Sequence, residues 1–421
     1  MTAFGEAVAT EGSGTVDVTT PGAVETALFN PYDQAIRADP WGLCRALRDH
    51  DPVYASPFGA YIVTDYEHGL SVLRSPDFSV DPRKATALPF APPDALSFAE
   101  RGLDHTMLFV DPPDHTRLRS LVSKAFSPRA IAALRVRIEA LVTELLDGFD
   151  GDEVDLMASF YYPLPVTVIA EMLGIPAADR EVFRGWAKAL APVLDPLIPP
   201  DNMQEMATAG IALVEYVDAL IAERRRDPGT DLISELIRAE DEGDRLSGDE
   251  VRSTVILLLI AGHETTMNSL GNGTYALAQR PDELRRLYED PALLKPAIEE
   301  IFRHDGPGLI TARIALREVE VADKKVTPGQ IVVVVIGAAN RDPKQFDDPD
   351  RFDVGRDPNK HLAFSAGPHF CLGAVLARME MQIALGALLR RHRSIELMEQ
   401  PRWRRTVTFR GLESLKVRLG Q

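Results

Sequence analysis

Cysteine is scarce in this chain of 421 residues, which contains only Cys44 and Cys371. Two cysteines exclude the dense disulfide framework of small secreted proteins and favour free thiols in a reducing compartment. The sequence also lacks an apolar run approaching the roughly 20 residues of a membrane-spanning helix. Its first residues have neither the basic nor the apolar part of a secretory signal. These absences predict a cytoplasmic protein without a membrane partner.

The chain also has fewer basic than acidic residues, with 46 Lys and Arg against 63 Asp and Glu, which gives a net charge of −17. This imbalance repels phosphates, so nucleic acid is not an expected partner. The sequence has no internal repeat, low-complexity block or Gly/Ser-rich linker. We therefore expect one large monomeric domain over residues 26–421. The small and polar residues of 1–25 predict a flexible N-terminal lead-in.

Helical periodicity dominates what is present. A helix over 40–49 precedes a predicted β-hairpin, made of the alternating runs 52–56 and 60–65. Residues 82–114 are rich in proline and predict a long loop, whereas 316–337 returns to strand chemistry. The fold class is therefore predicted to be mainly α with a small β-rich region. Further helices are predicted over 114–125, 128–147, 166–173, 179–191, 203–226, 248–279 and 372–392.

The helix over 248–279 is predicted to cross the core, because its segment VILLLIA is apolar on every face. Ser247 and Glu250 form the pattern of a capping box at its start. In its middle, residues 261–266 read AGHETT. A glycine beside threonines can open the helical hydrogen-bond ladder, and a hydroxyl next to a carboxylate can relay protons. The alternative is a polar interruption of a core helix.

Cys371 stands where the last long helix begins, within the segment HLAFSAGPHFCLGAVLARMEM. Backbone N–H groups at a helix N-terminus point outward unpaired, and the positive end of the helix dipole lies there, so both favour a thiolate. Gly367 and Gly373 would let the backbone approach a flat cofactor closely. Two alternatives remain: a metal-ligating thiolate, or a buried structural thiol, which is the role expected for Cys44.

Five residues around this cysteine have the spacing of the haem-binding signature of the cytochrome P450 family: Phe364, Gly367, His369, Cys371 and Gly373. The sequence resembles that family over about residues 30–420. Ser365 departs from it, since the family usually has Gly there, and Ser would alter the bulge or add a hydrogen bond. The resemblance implies the cytochrome P450 fold, a single triangular domain, and haem b held by Cys371 and contacted by Phe364 and Gly373.

The resemblance also assigns roles within AGHETT. It implies that Thr265 holds the oxygen complex and that Glu264 feeds a proton relay to it. Both would be catalytic residues. His263 is expected to be packed or solvated rather than catalytic.

Other family residues are structural or bind the cofactor. Glu300 and Arg303 lie one turn apart on a helix, and the resemblance implies a buried pair that Arg351 joins to brace the core. Four cationic or imidazole side chains are implied to contact the two haem propionates, whose negative charge suits them: His115, Arg119, Arg313 and His369.

The implied activity is a haem-thiolate monooxygenase that activates O2 and hydroxylates a hydrophobic organic substrate, such as a polyketide, a terpenoid or a steroid-like compound. The apolar character of the expected pocket supports this substrate class. That pocket is expected to be lined by 82–108, 192–203, 308–312, Leu258, Ala261, Thr408 and Phe409.

Electrons must come from a partner, because the chain has neither a flavin motif nor an iron–sulfur cysteine set. A ferredoxin is the expected donor. Its binding surface is predicted to be a basic patch of Arg117, Lys124, Arg129 and Arg378. Two alternatives are a peroxide-driven peroxygenase, which would typically replace the acid–threonine pair, and a non-catalytic haem-thiolate sensor or carrier.

Overall fold

The computed structural model describes residues 20–87, 106–195, 203–241 and 246–420. Residues 21–25 belong to the first helix, in which Thr20 caps the N-terminus and Val24 is buried. The flexible lead-in predicted as far as residue 25 is therefore wrong for these five residues, and residues 1–19 lie outside the described part. Most of the predicted loops over 82–108 and 192–203 also lie outside it.

The helices of the described residues, in chain order, are α1 (Pro21–Leu28), α2 (Gln34–Ala38), α3 (Trp41–His50), α4 (Tyr66–Arg74), α5 (Asp114–Val122), α6 (Pro128–Asp147), α7 (Pro163–Met172), α8 (Arg180–Leu190), α9 (Met203–Arg226), α10 (Leu232–Asp241), α11 (Gly248–Ala278), α12 (Pro281–Glu289), α13 (Leu294–Asp305), α14 (Ile336–Ala339) and α15 (Ala374–Arg391). Each of the predicted helices is present, with ends within about three residues of the expected ones.

The strands are β1 (Val53–Ala55), β2 (Tyr61–Val63), β3 (Phe78–Ser79), β4 (Glu153–Asp155), β5 (Ile310–Ala315), β6 (Val319–Val321), β7 (Lys324–Val326), β8 (Ile331–Val335), β9 (Ser394–Leu397) and β10 (Lys416–Gly420). The predicted hairpin is β1 and β2, paired antiparallel. The expected strand run over 316–337 is confirmed as β6 to β8, except that residues 336 and 337 begin α14.

One sheet of five strands, ordered β1-β2-β8-β5-β3, carries the β-rich region. β2 and β8 are parallel, while β5 runs antiparallel to β8 with Arg313 opposite Val332. β5 lies between two neighbours, and yet Ile310 and Thr311 are only half-buried and Ala312 is exposed. The first half of β5 is therefore accessible, and Arg313 lies directly after this accessible stretch.

α11 forms the centre of the helical region. The capping box at Ser247 and Glu250 is present. The helix packs on α7, α13 and α15, and its residues 255–260 are all buried. Ala261, Gly262 and Thr265 are only half-buried. Because a helix in the core would otherwise be covered on every side, these three residues mark an opening along its middle.

The N-terminal and C-terminal parts of the described chain contact each other. Gln34 and Trp403 exchange two hydrogen bonds of 2.9 Å: the Gln34 side-chain amide donates to the Trp403 carbonyl, and the Trp403 N–H donates to Gln34 Oε1. The segment Gly367–Arg391 is long and apolar enough to cross a membrane, but 61% of its apolar window is buried inside the fold. Such burial is typical of a core helix.

Candidate active site

Cys371 lies at the end of a tight loop that α15 follows. Its N–H donates to the Phe364 carbonyl at 2.9 Å, which closes the loop. Cys371 is exposed, yet the surrounding protein atoms desolvate its thiol and raise the pKa, while the N–H groups of Gly373 and Ala374 and the charge of Arg119 act in the opposite direction. The sulfur is thus held by helix N-terminal amides, as the sequence predicted, and these donors stabilise a thiolate.

The two glycines of the loop serve different purposes. At Gly373 an added Cβ would meet nothing within 4 Å, so this position leaves space for a flat group. Gly367 has φ +70°, and an added Cβ would lie 2.6 Å from the Leu73 carbonyl oxygen. Gly367 therefore allows the loop to pack on the end of α4, and its expected role in cofactor approach stays a prediction.

Ser365 adopts the left-handed conformation, with φ 62°. Its Oγ is buried and has no hydrogen-bond partner within the described residues. The hydrogen bond expected from this departure is therefore not made there. A non-glycine residue in this conformation carries a steric cost of roughly 1–2 kcal/mol.

Phe364 is the apolar support of the loop. Its ring lies 4.5 Å from the ring of Phe302, and the guanidinium of Arg378 lies 4.3 Å above it. Arg378 is held there by Glu299, through hydrogen bonds of 2.7 and 2.8 Å. The Cys371 loop is thereby fastened to α13.

Four residues from three separate segments lie together beside this loop, and we call them the cationic cluster after its two arginines: His115, Arg119, Arg313 and His369. The rings of His115 and His369 are 4.1 Å apart, and Arg119 donates to the Phe370 carbonyl at 2.6 Å. Burial, and then the charges of His115 and Arg313, lower the pKa of His369 to about 3. Burial likewise lowers the pKa of Arg313 to about 10.

The nearest carboxylate does not neutralise this cluster. Asp111 already accepts from the Ser79 hydroxyl at 2.5 Å and from Lys84 at 2.7 Å. The Nε2 of His115 is buried and has no partner within the described residues. Like charges buried together are costly unless an anion joins them, so the cluster fits a group that carries two carboxylates. The propionates of haem b meet this requirement.

On α11, Thr265 faces the opening with its hydroxyl 3.3 Å from the Ala261 carbonyl. The helix is continuous from Gly248 to Ala278, so the opened hydrogen-bond ladder predicted beside Gly262 is not present. An added Cβ at Gly262 would lie 3.3 Å from Ile169. This glycine instead permits close packing of α11 on α7.

Glu264 is 3% exposed, and its Oε1 accepts a hydrogen bond of 2.9 Å from Arg404. Burial raises the pKa of Glu264, and the positive charge of Arg404 opposes the rise. Arg404 was not predicted, because it lies in the C-terminal segment and no local pattern links it to α11. His263 is buried, with Nδ1 2.7 Å from the Leu259 carbonyl, and burial lowers its pKa to about 4. It is therefore packed.

Comparison with known proteins agrees with this geometry. The family model for "Cytochrome P450" matches residues 181–412. This chain is a cytochrome P450. The P450 is 40% identical over 385 residues to 6-deoxyerythronolide B hydroxylase of Saccharopolyspora erythraea, and the alignment covers 89% of this chain and 94% of that protein. It is 36% identical over 410 residues to the polyketide biosynthesis cytochrome P450 PksS of Bacillus subtilis, and that alignment covers 94% of this chain and 100% of PksS.

The fold is confirmed by solved structures. The ligand-free structure of Mycobacterium smegmatis CYP164A2 superposes on this P450 with a TM-score of 0.86 at 39% identity, covering 94% of this chain and 100% of that one. The chain is thus a P450 monooxygenase whose cofactor is protoporphyrin IX haem. It uses O2, a redox partner and hydrophobic substrates.

A buried ion pair braces the core of the P450 next to α13. Arg303 donates to both carboxylate oxygens of Glu300, at 2.7 and 2.8 Å. The prediction that Arg351 joins this pair is wrong. Its side chain is 59% exposed and lies 3.9 Å from Asp353, while its backbone carbonyl accepts from Arg303. Arg356 takes the predicted place, 3.1 Å from Glu300.

The predicted basic patch of the P450 is smaller than expected. Arg117 forms ion pairs with Glu250 and Asp114, and Arg378 is paired with Glu299. Their charges are largely neutralised, because each has a carboxylate at hydrogen-bond distance. The other two members, Lys124 and Arg129, are exposed.

Proposed function

We propose that this P450 hydroxylates a hydrophobic natural-product-like substrate, in the class of polyketides, terpenoids and steroids, with electrons from a ferredoxin system. The observation that carries the proposal is the juxtaposition of the Cys371 sulfur, held by the amides of Gly373 and Ala374, with the cationic cluster beside it. A thiolate ligand and an anion-binding cluster are together what a propionate-bearing haem requires. The names of 6-deoxyerythronolide B hydroxylase and PksS support the polyketide class.

The cofactor would be held at three places. Cys371 would supply a thiolate ligand, the cationic cluster would bind the two propionates, and Gly373 and Phe364 would contact the porphyrin. When bound, haem supplies the activation of O2 and the transfer of one oxygen atom to the substrate. The protein residues position the ligand, exclude water and provide protons.

Protons would be delivered from Glu264 to the hydroxyl of Thr265. The two residues are adjacent on α11, and Thr265 is accessible at the opening while Glu264 is buried. Burial raises the pKa of Glu264, and a raised pKa makes a carboxyl better suited to act as a general acid. Arg404, 22% exposed in its side chain, would link this carboxyl to the solvent side.

The substrate would occupy the opening between α11 and the start of β5. Its accessible walls include Ala261, Ile310 and Ala312. Apolar walls with few polar groups favour a hydrophobic substrate. This arrangement supports the predicted pocket at 308–312 and on the central helix.

A ferredoxin would bind at the surface next to the Cys371 loop. With Arg117 and Arg378 already paired, the contribution to docking would come from Lys124 and Arg129. Reversing both charges to Glu should slow reduction by ferredoxin and weaken the salt dependence of that rate. Unchanged reduction rates would exclude this surface.

The class of reaction is tested by turnover. Product formation with NADPH, ferredoxin and ferredoxin reductase supports the monooxygenase, product formation with peroxide alone supports the peroxygenase, and a haem protein without turnover supports a sensor or carrier. A compound library screened by the low-spin to high-spin shift of the haem spectrum would identify the substrate class. Cys371→Ser should abolish the red-shifted Soret band of the reduced carbon monoxide complex, and persistence of that band contradicts the assigned ligand.

A further inference from the structure

We propose that Asp195 is a positioning residue that controls how readily large substrates enter and leave the pocket. The inference rests on the proposed function, because it concerns the pocket beside the haem. Asp195 follows the short turn Ala191–Leu194 after α8. Its Oδ2 accepts from the N–H groups of Val407 and Thr408, at 2.7 and 2.9 Å. One carboxylate oxygen thus links the end of the α8 segment to residues 407–409, which we call the C-terminal turn. We call this link the tie.

The tie is buried and lies among charges. Asp195 is 4% exposed and Arg37 on α2 is 2% exposed. The negative charge of Asp195 favours the protonated form of Arg37, whose pKa burial and the nearby Arg410 lower to about 10. Three parts of the chain therefore meet at this carboxylate: the N-terminal helix α2, the end of the α8 segment and the C-terminal turn.

The C-terminal turn is in turn attached to the wall of the pocket. The Thr408 carbonyl accepts from the Leu309 N–H at 2.8 Å, and Phe409 pairs with Gly308 as an isolated bridge. Residues 308 and 309 lead directly into β5, whose accessible first half would form one wall of the proposed pocket. A displacement of the turn at 407–409 would therefore move the start of β5. Asp195 fixes that turn, so it sets the width of the pocket at this edge.

Two substitutions of Asp195 separate the effect of its hydrogen bonds from the effect of its negative charge. Both amides bind one oxygen, so Asp195→Asn keeps an acceptor for both through its side-chain carbonyl but removes the charge opposite Arg37. Asp195→Ala removes the acceptor and leaves two backbone N–H groups without it. If the tie acts through the amides, the Asn variant retains the behaviour of the unmodified protein and the Ala variant does not.

Asp155 provides a matched control. One of its oxygens also accepts from two backbone N–H groups, those of Met157 and Leu415, at 3.0 and 2.9 Å. It too joins segments far apart in sequence. However, it lies in the three-stranded sheet β4-β10-β9, away from the start of β5. Asp155→Ala therefore tests the loss of a similar tie that does not contact the pocket wall.

The experiment compares a large and a small azole on the haem-loaded protein by stopped-flow spectroscopy. Both bind through a nitrogen to the haem iron and shift its Soret band, so the substrate need not be known. Asp195→Ala should raise the association and dissociation rates of clotrimazole by about tenfold, with those of imidazole unchanged within about twofold. Asp195→Asn and Asp155→Ala should both behave like the unmodified protein.

A second measurement does not depend on ligand binding. Hydrogen exchange at the amides of Val407 and Thr408 should accelerate in Asp195→Ala and be restored in Asp195→Asn. Clotrimazole rates that do not change in Asp195→Ala, or that change equally in Asp155→Ala, would overturn the inference. Failure of the unmodified protein to give any azole-induced Soret shift would instead contradict the proposed haem function, so the two failures are distinguishable.

Discussion

Glu264 and Arg404 form a hydrogen-bonded ion pair of 2.9 Å between the centre of α11 and the C-terminal segment. The carboxylate is 4% exposed in its side chain and the guanidinium 22%. Removal of one partner from such a pair leaves the other buried without its counter-charge. This asymmetry makes Arg404 the more informative residue to change.

Arg404→Gln should therefore lower the free energy of unfolding by about 2 kcal/mol at pH 8. Loss of Arg404 removes an opposing charge, so the pKa of Glu264 rises further above its ordinary value of 4.5. A Glu whose folded-state pKa is raised destabilises the protein as pH rises above the unfolded value, so the loss should be smaller at pH 5. Urea unfolding at both pH values measures this loss in the free energy of unfolding. Arg135→Gln, in an exposed pair with Glu139, is the control, and an equal effect of both variants at pH 8 contradicts the prediction.

Glu380 on α15 should make stability fall in alkaline solution. It is 1% exposed, and burial raises its pKa from 4.5 to about 8, against a hydrogen bond with Thr266. The folded state therefore retains a proton that the unfolded state loses, and stability should decline by about 2–3 kcal/mol between pH 6 and pH 8 through this group.

Glu380→Gln is neutral at every pH and should remove that decline. The measurement is the free energy of unfolding of both proteins at pH 6 and pH 8. The advantage of the Gln variant should grow with pH. A constant difference between the two proteins would show that Glu380 does not titrate in this range.

Ser365→Gly should stabilise the protein by about 1 kcal/mol, because it relieves the left-handed backbone at φ 62° and removes a buried hydroxyl without a described partner. The greater freedom of glycine in the unfolded chain offsets part of this gain. Ala322→Gly is the comparison, because it also relieves a left-handed backbone, at φ 54°, but removes no hydroxyl. Thermal unfolding should show the larger increase for Ser365→Gly, and a decrease for that variant would show that the hydroxyl is stabilising.

Arg356 and Arg351 provide a direct test of the ion-pair network around Glu300. Arg356→Met should cost about 3 kcal/mol, because Glu300 is fully buried and loses one of its cationic partners. Arg351→Met should cost less than about 0.5 kcal/mol, since its side chain is 59% exposed. Denaturant unfolding of the two variants decides the assignment, and the reverse order would restore Arg351 to the role that the sequence predicted.

The features predicted correctly from sequence are those with a local cause. The start of α11 follows from the capping box of Ser247 and Glu250. The amide environment of Cys371 follows from its place before α15. The fold class followed from the excess of helical periodicity over strand chemistry.

The features that were missed or wrong depend on the tertiary fold. Arg404 reaches Glu264 across 140 positions of sequence, and no pattern along the chain signals that contact. The Arg351 segment does contact the ion pair, but through the backbone carbonyl of Arg351, which accepts from Arg303, so the wrong arginine was chosen. Gly367 is required by the Leu73 carbonyl, which only the packing of α4 brings near.

The reciprocal hydrogen bonds of Gln34 and Trp403 have a consequence for biosynthesis. The two residues are 369 positions apart, and translation at about 5–20 residues per second separates their appearance by roughly 20–70 seconds. During that interval the nascent N-terminal helices have no partner on this face. Almost the entire chain must therefore be synthesised before these two hydrogen bonds can form and close this face.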